Sequence, residues 1–188
     1  NYDGLHQAIN SLAVLGALLI TKCDVEHGIK KLYNSVIPIG RGNRHNIIIE
    51  GKKSLLIDDS YNANPSSVIA SLKSLKEIAG KNRKVLILGE MGELGKFSVP
   101  LHKNIYNYLI SIDINLVIFV GKNTKDLYNL SKRKIECIWA ENTEKIVKKE
   151  LIQLIKPMDT ILVKGSRYMK MELIINFLID QFKIKASE

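Results

Sequence analysis

The stretch Asp58-Asp59-Ser60-Tyr61-Asn62-Ala63-Asn64-Pro65 decides how this chain is read. Lys53-Ser54-Leu55-Leu56-Ile57 precedes it, short and mostly apolar, with the pattern of a buried strand. Val68, Leu72, Leu75 and Ala79 follow at helical spacing; Asn64 or Ser66 is available as N-cap, and Pro65 fits the first turn. A cluster of acids, amides and a Tyr therefore sits between the carboxyl end of a strand and the start of a helix. Open α/β sheets place their ligand-binding groups there. A capped turn needs one Asp or Asn, whereas this one carries two of each and a Tyr.

Outward from that turn the same alternation continues. Ile47-Ile48-Ile49, a turn at Glu50-Gly51-Lys52-Lys53 and Ser54–Ile57 predict a hairpin. Further strands are expected at Lys84–Leu88, Asn115–Val120, Ile135–Trp139 and Thr160–Val163. Helices are expected near Ser66–Ala79, Val99–Ile110, Thr124–Leu130, Thr143–Ile155 and Met169–Phe182. Continuously apolar strands alternating with amphipathic helices predict an α/β, Rossmann-like domain with a mostly parallel sheet flanked by helices. It spans residues 42–188. A helical fragment, residues 1–41, precedes it: an apolar helix from Leu5 to Thr21, then a short one that Asp24 caps. The breaker-rich Pro38-Ile39-Gly40-Arg41-Gly42-Asn43-Arg44 is read as the connector that marks the boundary.

Composition narrows the function classes. Of 188 residues, 46% are hydrophobic and 25% charged, as expected for a globular chain with a substantial core. The 28 Lys+Arg against 19 Asp+Glu give +9, but the basic residues are scattered and no RNP-like aromatic pattern occurs, which argues against nucleic acid. The apolar run Leu12–Ile20 is too short for a bilayer and lacks a basic flank, so no membrane role is expected. Cys23 and Cys137 match no metal or redox spacing and read as buried thiols in a reduced cytoplasm. The first residue is not Met, which suggests a start inside a longer protein.

In a parallel sheet the loops after successive strands gather on one edge. Here they contain the octapeptide, Gly89-Glu90-Met91-Gly92-Glu93-Leu94-Gly95, Gly121-Lys122-Asn123-Thr124, Glu141-Asn142 and Lys164-Gly165-Ser166-Arg167. An edge so rich in charge and amides points to a polar ligand. The glycine loop reads G-x-x-G-x-x-G, not the dinucleotide fingerprint, and Glu90 and Glu93 would repel a pyrophosphate. Those carboxylates suit an incoming amine or orient the loop. No P-loop occurs, and no nucleophile elbow. His6, His27, His45 and His102 lack metal-ligand spacing and read as surface or capping residues, so no metal is assigned. Ser166, between a strand and a helix and without an evident base, suits anion binding better than nucleophilic attack.

The octapeptide, Leu88-Gly89-Glu90-Met91-Gly92-Glu93-Leu94-Gly95 with His102 after it, and Val163–Arg167 followed by Met171-Glu172 together resemble the Mur ligases of peptidoglycan synthesis. Within that family they resemble the branch that joins D-Ala-D-Ala to UDP-N-acetylmuramoyl-tripeptide. Gly4–Leu12 resembles the family's G-R-H-N-x-x-N-A-L helix start, with Leu5 and Gln7 where the family has Arg and Asn; Gly40-Arg41 resembles the G-R before its last domain.

The resemblance implies the tail of a central ATPase domain followed by the complete C-terminal domain, from an enzyme that is cytoplasmic and monomeric. It implies ATP and magnesium as cofactors, with the P-loop lysine, the metal ligands and the catalytic residues upstream of Asn1. By motif, Asn10 would contact adenine, Arg41 the ATP phosphates and Asp59 the ribose hydroxyls. Tyr61, Asn62, Asn64, Glu93, Ser166 and Arg167 would bind the dipeptide or close over an acyl phosphate. Read without the resemblance, the chain also fits a stand-alone Rossmann-like module for nucleotides or peptides. A related ligase with another acceptor, such as folylpolyglutamate synthase, fits as well.

Overall fold

The computed structural model describes residues 5–34, 38–92, 94–146 and 150–182. They fall into two compact units, Asn1–Pro38 and Ile39–Glu188. The first holds α1 (Leu5–Ile20) and α2 (Val25–Tyr33). Asp24 caps α2 as expected, its carboxylate accepting the His27 N–H at 3.0 Å. Along α1, Ile9, Leu12, Val14, Leu19 and Ile20 are exposed.

The second unit opens with a hairpin, β1 (Asn43–Ile49) and β2 (Lys52–Asp59). Its turn is shorter than expected, because Lys52 and Lys53 pair with Ile49 and Ile48. Glu50 and Gly51 alone reverse the chain, both at positive φ (48° and 77°), the geometry of a two-residue type I′ turn. Then come α3 (Pro65–Ala79), β3 (Lys84–Gly89), α4 (Ser98–Ser111), β4 (Leu116–Val120), α5 (Lys125–Ser131) and β5 (Glu136–Ala140). α6 (Thr143–Ile146), α7 (Glu150–Leu154), β6 (Thr160–Lys164) and α8 (Glu172–Gln181) complete it. The single helix expected over Thr143–Ile155 is thus two short described segments. The last helix starts three residues later than expected. Arg167–Met169 form a 3-10 turn and Lys170 takes a left-handed conformation (φ 51°, ψ 45°), which no α-helix accommodates.

The six strands run in the order β1-β2-β6-β3-β4-β5. β1 is antiparallel; β2, β6, β3, β4 and β5 are mutually parallel. Every residue of β4 and β6 is buried, as strands covered on both faces require. Alternate side chains serve two cores. Ile57, Leu86, Leu88, Val117, Phe119 and Leu162 pack with Leu72, Leu75, Ile105, Leu109 and Leu127 of α3, α4 and α5. Leu56, Val85, Ile87, Ile118, Ile161 and Val163 pack with Ile146, Leu151, Ile174 and Leu178 of α6, α7 and α8.

This layering creates the crevice. After β2 and β3 the chain turns to α3 and α4 on one face, whereas after β6, which lies between them, it turns to α8 on the other. Adjacent parallel strands whose connections diverge leave an opening at their carboxyl ends. Backbones approach closely there. A Cβ on Gly89 would lie 2.7 Å from Met171 Sδ and 3.2 Å from Gly165 Cα, and one on Gly165 would lie 3.1 Å from Gly89 Cα.

Gly165→Ala should therefore lower stability by about 1–3 kcal/mol, the usual range for overpacking. Urea unfolding of the variant against the parent chain measures it.

Candidate functional site

Strand alternation divides the two acids that end β2. Asp58 is buried and closes a local turn, accepting from the Ser60 N–H at 3.1 Å and its hydroxyl at 2.6 Å. Asp59 points to the opposite face. There its Oδ2 accepts from Lys164 Nζ at 2.7 Å and from the Ser71 hydroxyl of α3 at 2.5 Å. Lys164 also donates to the Asn62 carbonyl at 2.9 Å. One step further along the turn, Asn64 caps α3 in a capping box with Ser67, Pro65 following at the first helical position.

Residues 39–41, grouped on sequence with the helical piece, are held to the sheet. The Tyr61 N–H donates to the Gly40 carbonyl at 3.0 Å and the Gly42 N–H to the Asp58 carbonyl at 2.7 Å. Arg41 is thereby delivered to Tyr61, its guanidinium carbon 4.6 Å from the ring centroid. Arg167 reaches the same ring at 5.8 Å and pairs with Glu172 at 3.2 Å. Two guanidinium groups beside one half-exposed ring, against the single Glu172 carboxylate, leave this rim net positive and able to take a carboxylate or phosphate.

Ser166 is buried at the centre. Its Oγ accepts the Gly92 N–H at 2.7 Å and donates to the Ala63 carbonyl at 3.3 Å, while its own N–H bonds the Glu90 carbonyl at 2.9 Å. One serine thus ties the turns after β2, β3 and β6 together. Glu90 does the same on the other side. Its carboxylate accepts from the Asn123 N–H at 3.0 Å, the Asn123 side-chain amide at 2.9 Å and the Tyr168 hydroxyl at 2.7 Å. Burial, with the Glu90 carboxylate beside it, pushes the Tyr168 phenol well above its ordinary pKa. Glu90 is therefore committed to orienting loops, one of the two roles its sequence position allowed.

Between these loops lies a cleft of ≈ 1010 Å³. Asn62, Asn64, Asn123, Ser166, Arg167 and Tyr168 supply its polar lining, and Ala63, Met91, Gly92, Leu94 and Gly95 a small-residue, apolar one. Of the residues singled out from sequence, Asn62, Asn64, Ser166 and Arg167 line this cleft, with Arg41, Asp59 and Tyr61 in the linked loops. Asn10 is exposed on α1 in the other unit, and Glu93 lies outside the described residues. Sequence reading passed over Lys164 and Tyr168 as site residues. The available signal was a Lys closing an otherwise uncharged, buried strand and a Tyr beside the Ser-Arg pair.

Three expectations need correction. Cys23 is exposed and Cys137 only partly buried, because Cys23 sits in the α1–α2 turn and Cys137 on edge strand β5. His102 is not a surface residue but buried within α4. Among the described residues no group of three His, Cys, Asp or Glu could hold a metal, and no helix is long and apolar enough to cross a membrane. The chain's described acids do not build a magnesium site on their own.

Known proteins share this fold. The profile of the Mur ligase, glutamate ligase domain matches residues 43–167. The chain is 35% identical over 172 residues to the UDP-N-acetylmuramoyl-tripeptide–D-alanyl-D-alanine ligase of Rickettsia prowazekii, covering 92% of this chain and 37% of that protein. The Escherichia coli protein of the same name is 35% identical over 127 residues, 68% of this chain and 27% of its own. A crystal structure of MurF from Acinetobacter baumannii superposes with a TM-score of 0.77 at 26% identity, covering 95% of this chain and 38% of that one. The MurF ligase of Thermotoga maritima in complex with ADP shares the fold, with a TM-score of 0.71 at 24% identity over 96% of this chain and 39% of its own. The matches thus span between 27% and 39% of the length of these relatives.

The Glu90 contacts give a direct check. In Glu90→Gln the Tyr168 phenol loses an adjacent negative charge, so its pKa should fall toward the ordinary value, read by NMR titration of the ring. Since the raised pKa favours the folded, protonated form, stability should decline as pH rises above about 10, and less steeply in the variant.

Proposed function

This chain belongs to the Mur ligase family, and from that premise we propose that it is the C-terminal part of an ATP-dependent amide ligase. The ligase joins D-Ala-D-Ala to UDP-N-acetylmuramoyl-tripeptide in peptidoglycan synthesis. The observation that carries the reading is the convergence of the Asp58–Pro65 turn and the Lys164–Arg167 turn on one cleft, through the Ser166–Ala63 and Lys164–Asn62 bonds. Similarity to proteins bearing that ligase name over 92% of the chain supports it.

The reaction divides into two displacements. A tripeptide carboxylate oxygen attacks the γ-phosphorus of ATP and ADP leaves; the dipeptide amine then attacks the acyl phosphate carbon, a proton is lost and inorganic phosphate departs. Little covalent chemistry falls to this chain, and its groups act by position and charge. Arg41 offers its guanidinium fork to the phosphates. Asp59, an acceptor held in place, suits a ribose diol; an adenine contact by Asn10 rests on the resemblance of its helix alone. Arg167, beside the cleft, is the natural anchor for the dipeptide carboxylate. Ala63, Gly92 and Gly95, with Met91 and Leu94, leave space for methyl-sized side chains. Asn62, Asn64 and Ser166 line the acceptor side with Tyr61 in the linked turn, and Glu93 is assigned to the acceptor by motif alone.

Magnesium, when bound, would neutralise charge on the transferring phosphoryl group, and none of this chain's described residues is assigned to hold it. The enzyme works as a cytoplasmic monomer, where nucleotide-linked precursors are made.

The test is phosphate release by a protein that joins this chain to the upstream two-thirds its relatives possess. ATP and the UDP-linked tripeptide should give phosphate only with D-Ala-D-Ala, while D-Glu and meso-diaminopimelate stay inert. Turnover with either of those instead would refute the acceptor assignment. This chain by itself should not ligate. Arg167→Ala should raise KM for the dipeptide about tenfold, equivalent to about 1.4 kcal/mol, with a smaller change in KM for ATP.

A further inference from the structure

We propose that Lys164 is the positioning residue of this rim, a buried ammonium that fixes both the charge and the direction of the Asp59–Asn62 segment and so sets affinity for the nucleotide. The side chain of Lys164 is only 3% exposed, and Lys is rarely buried unless paired. It spends two donors on one turn, Asp59 Oδ2 at 2.7 Å and the Asn62 carbonyl at 2.9 Å. The sheet does not require this. β6 is already paired on both sides, Lys164 itself opposite Asp59 of β2 and Leu88 of β3. An apolar residue at the end of β6 would serve the core as well, since buried ion pairs seldom add net stability over packed hydrocarbon.

What the ammonium does is local. It cancels the carboxylate of Asp59, which would otherwise present an unpaired negative charge to a polyanionic nucleotide. Together with the Ser71 hydroxyl at 2.5 Å it also loads Oδ2, so that a ligand hydroxyl falls to Oδ1. By holding the Asn62 carbonyl it fixes the Asn62–Ala63 peptide, one residue beyond the Tyr61 ring that lies beside Arg41 and Arg167. The inference concerns the nucleotide side of the ligase reading above and rests on it, but its structural half can be tested alone.

On this chain, Lys164→Met should speed amide exchange at Tyr61, Asn62 and Ala63 by about tenfold while Leu86 and Phe119 in the core keep their protection. Unchanged exchange in the turn, or equal acceleration everywhere, would overturn it. Should that variant fail to fold, the parent chain decides. The Lys164 ammonium should give a slowly exchanging proton–nitrogen signal that Asp59→Asn removes, and a rapidly exchanging signal would contradict the pairing.

In the whole ligase, Lys164→Met should raise KM for ATP about tenfold with kcat nearly unchanged. Asp59→Asn/Lys164→Met, which deletes both charges, should recover about threefold of that loss. A purely structural lysine would give no recovery, and an unmoved KM would likewise sink the proposal. If the parent enzyme shows no dipeptide-dependent turnover, the ligase reading fails, and the exchange measurements still judge Lys164.

Discussion

The insertion of β6 between β2 and β3 is the constraint on which the site depends. Thr160–Lys164 pairs in parallel with Leu55–Asp59 on one side and Lys84–Leu88 on the other, so three strands present their carboxyl ends side by side. The connections of the outer two leave for α3 and α4, and that of the middle one for α8. Without this arrangement the octapeptide and the Lys-Gly-Ser-Arg turn, about a hundred residues apart in sequence, would have no reason to meet. With it, Ser166 and Lys164 reach the backbone of Asn62 and Ala63 directly.

Charge is then distributed by burial. In the inner layer of the rim Lys164 cancels Asp59, and the Glu90 carboxylate is held by three neutral donors. The outer layer, Arg41 and Arg167 around Tyr61, carries the net positive charge toward the opening. A carboxylate or phosphate entering here meets guanidinium groups first and does not confront the buried acids. The overall +9 is less informative than this placement, since a scattered surface charge selects no ligand.

Much of this was legible in the sequence because it was local. The hairpin, the apolar strands, the Asn64-Pro65 helix start and the Asp24 cap each follow from a few adjacent residues. That these loops share one edge was legible too, since parallel strands fix which loops lie on the same side. Strand order was not, because it is decided by pairing between distant segments. The roles of Glu90 and Lys164 were hidden for the same reason: their partners, Asn123 and Tyr168 for one and Asp59 for the other, lie 33, 78 and 105 residues away. The late start of α8 turns on one left-handed residue, Lys170, for which composition gives no warning. Asn64 shows how a residue can line a cleft and still be occupied as a helix cap.

If the turns after β2, β3 and β6 act as one ligand surface, a ligand must touch all three. Titrating this chain with millimolar D-Ala-D-Ala while recording backbone amide shifts tests it most directly. Perturbations should cluster at Asn62–Asn64, Met91–Gly92 and Ser166–Tyr168 together. Shifts confined to a single one of these turns, or centred on the opposite edge of the sheet around Arg83 and Asp159, would contradict it.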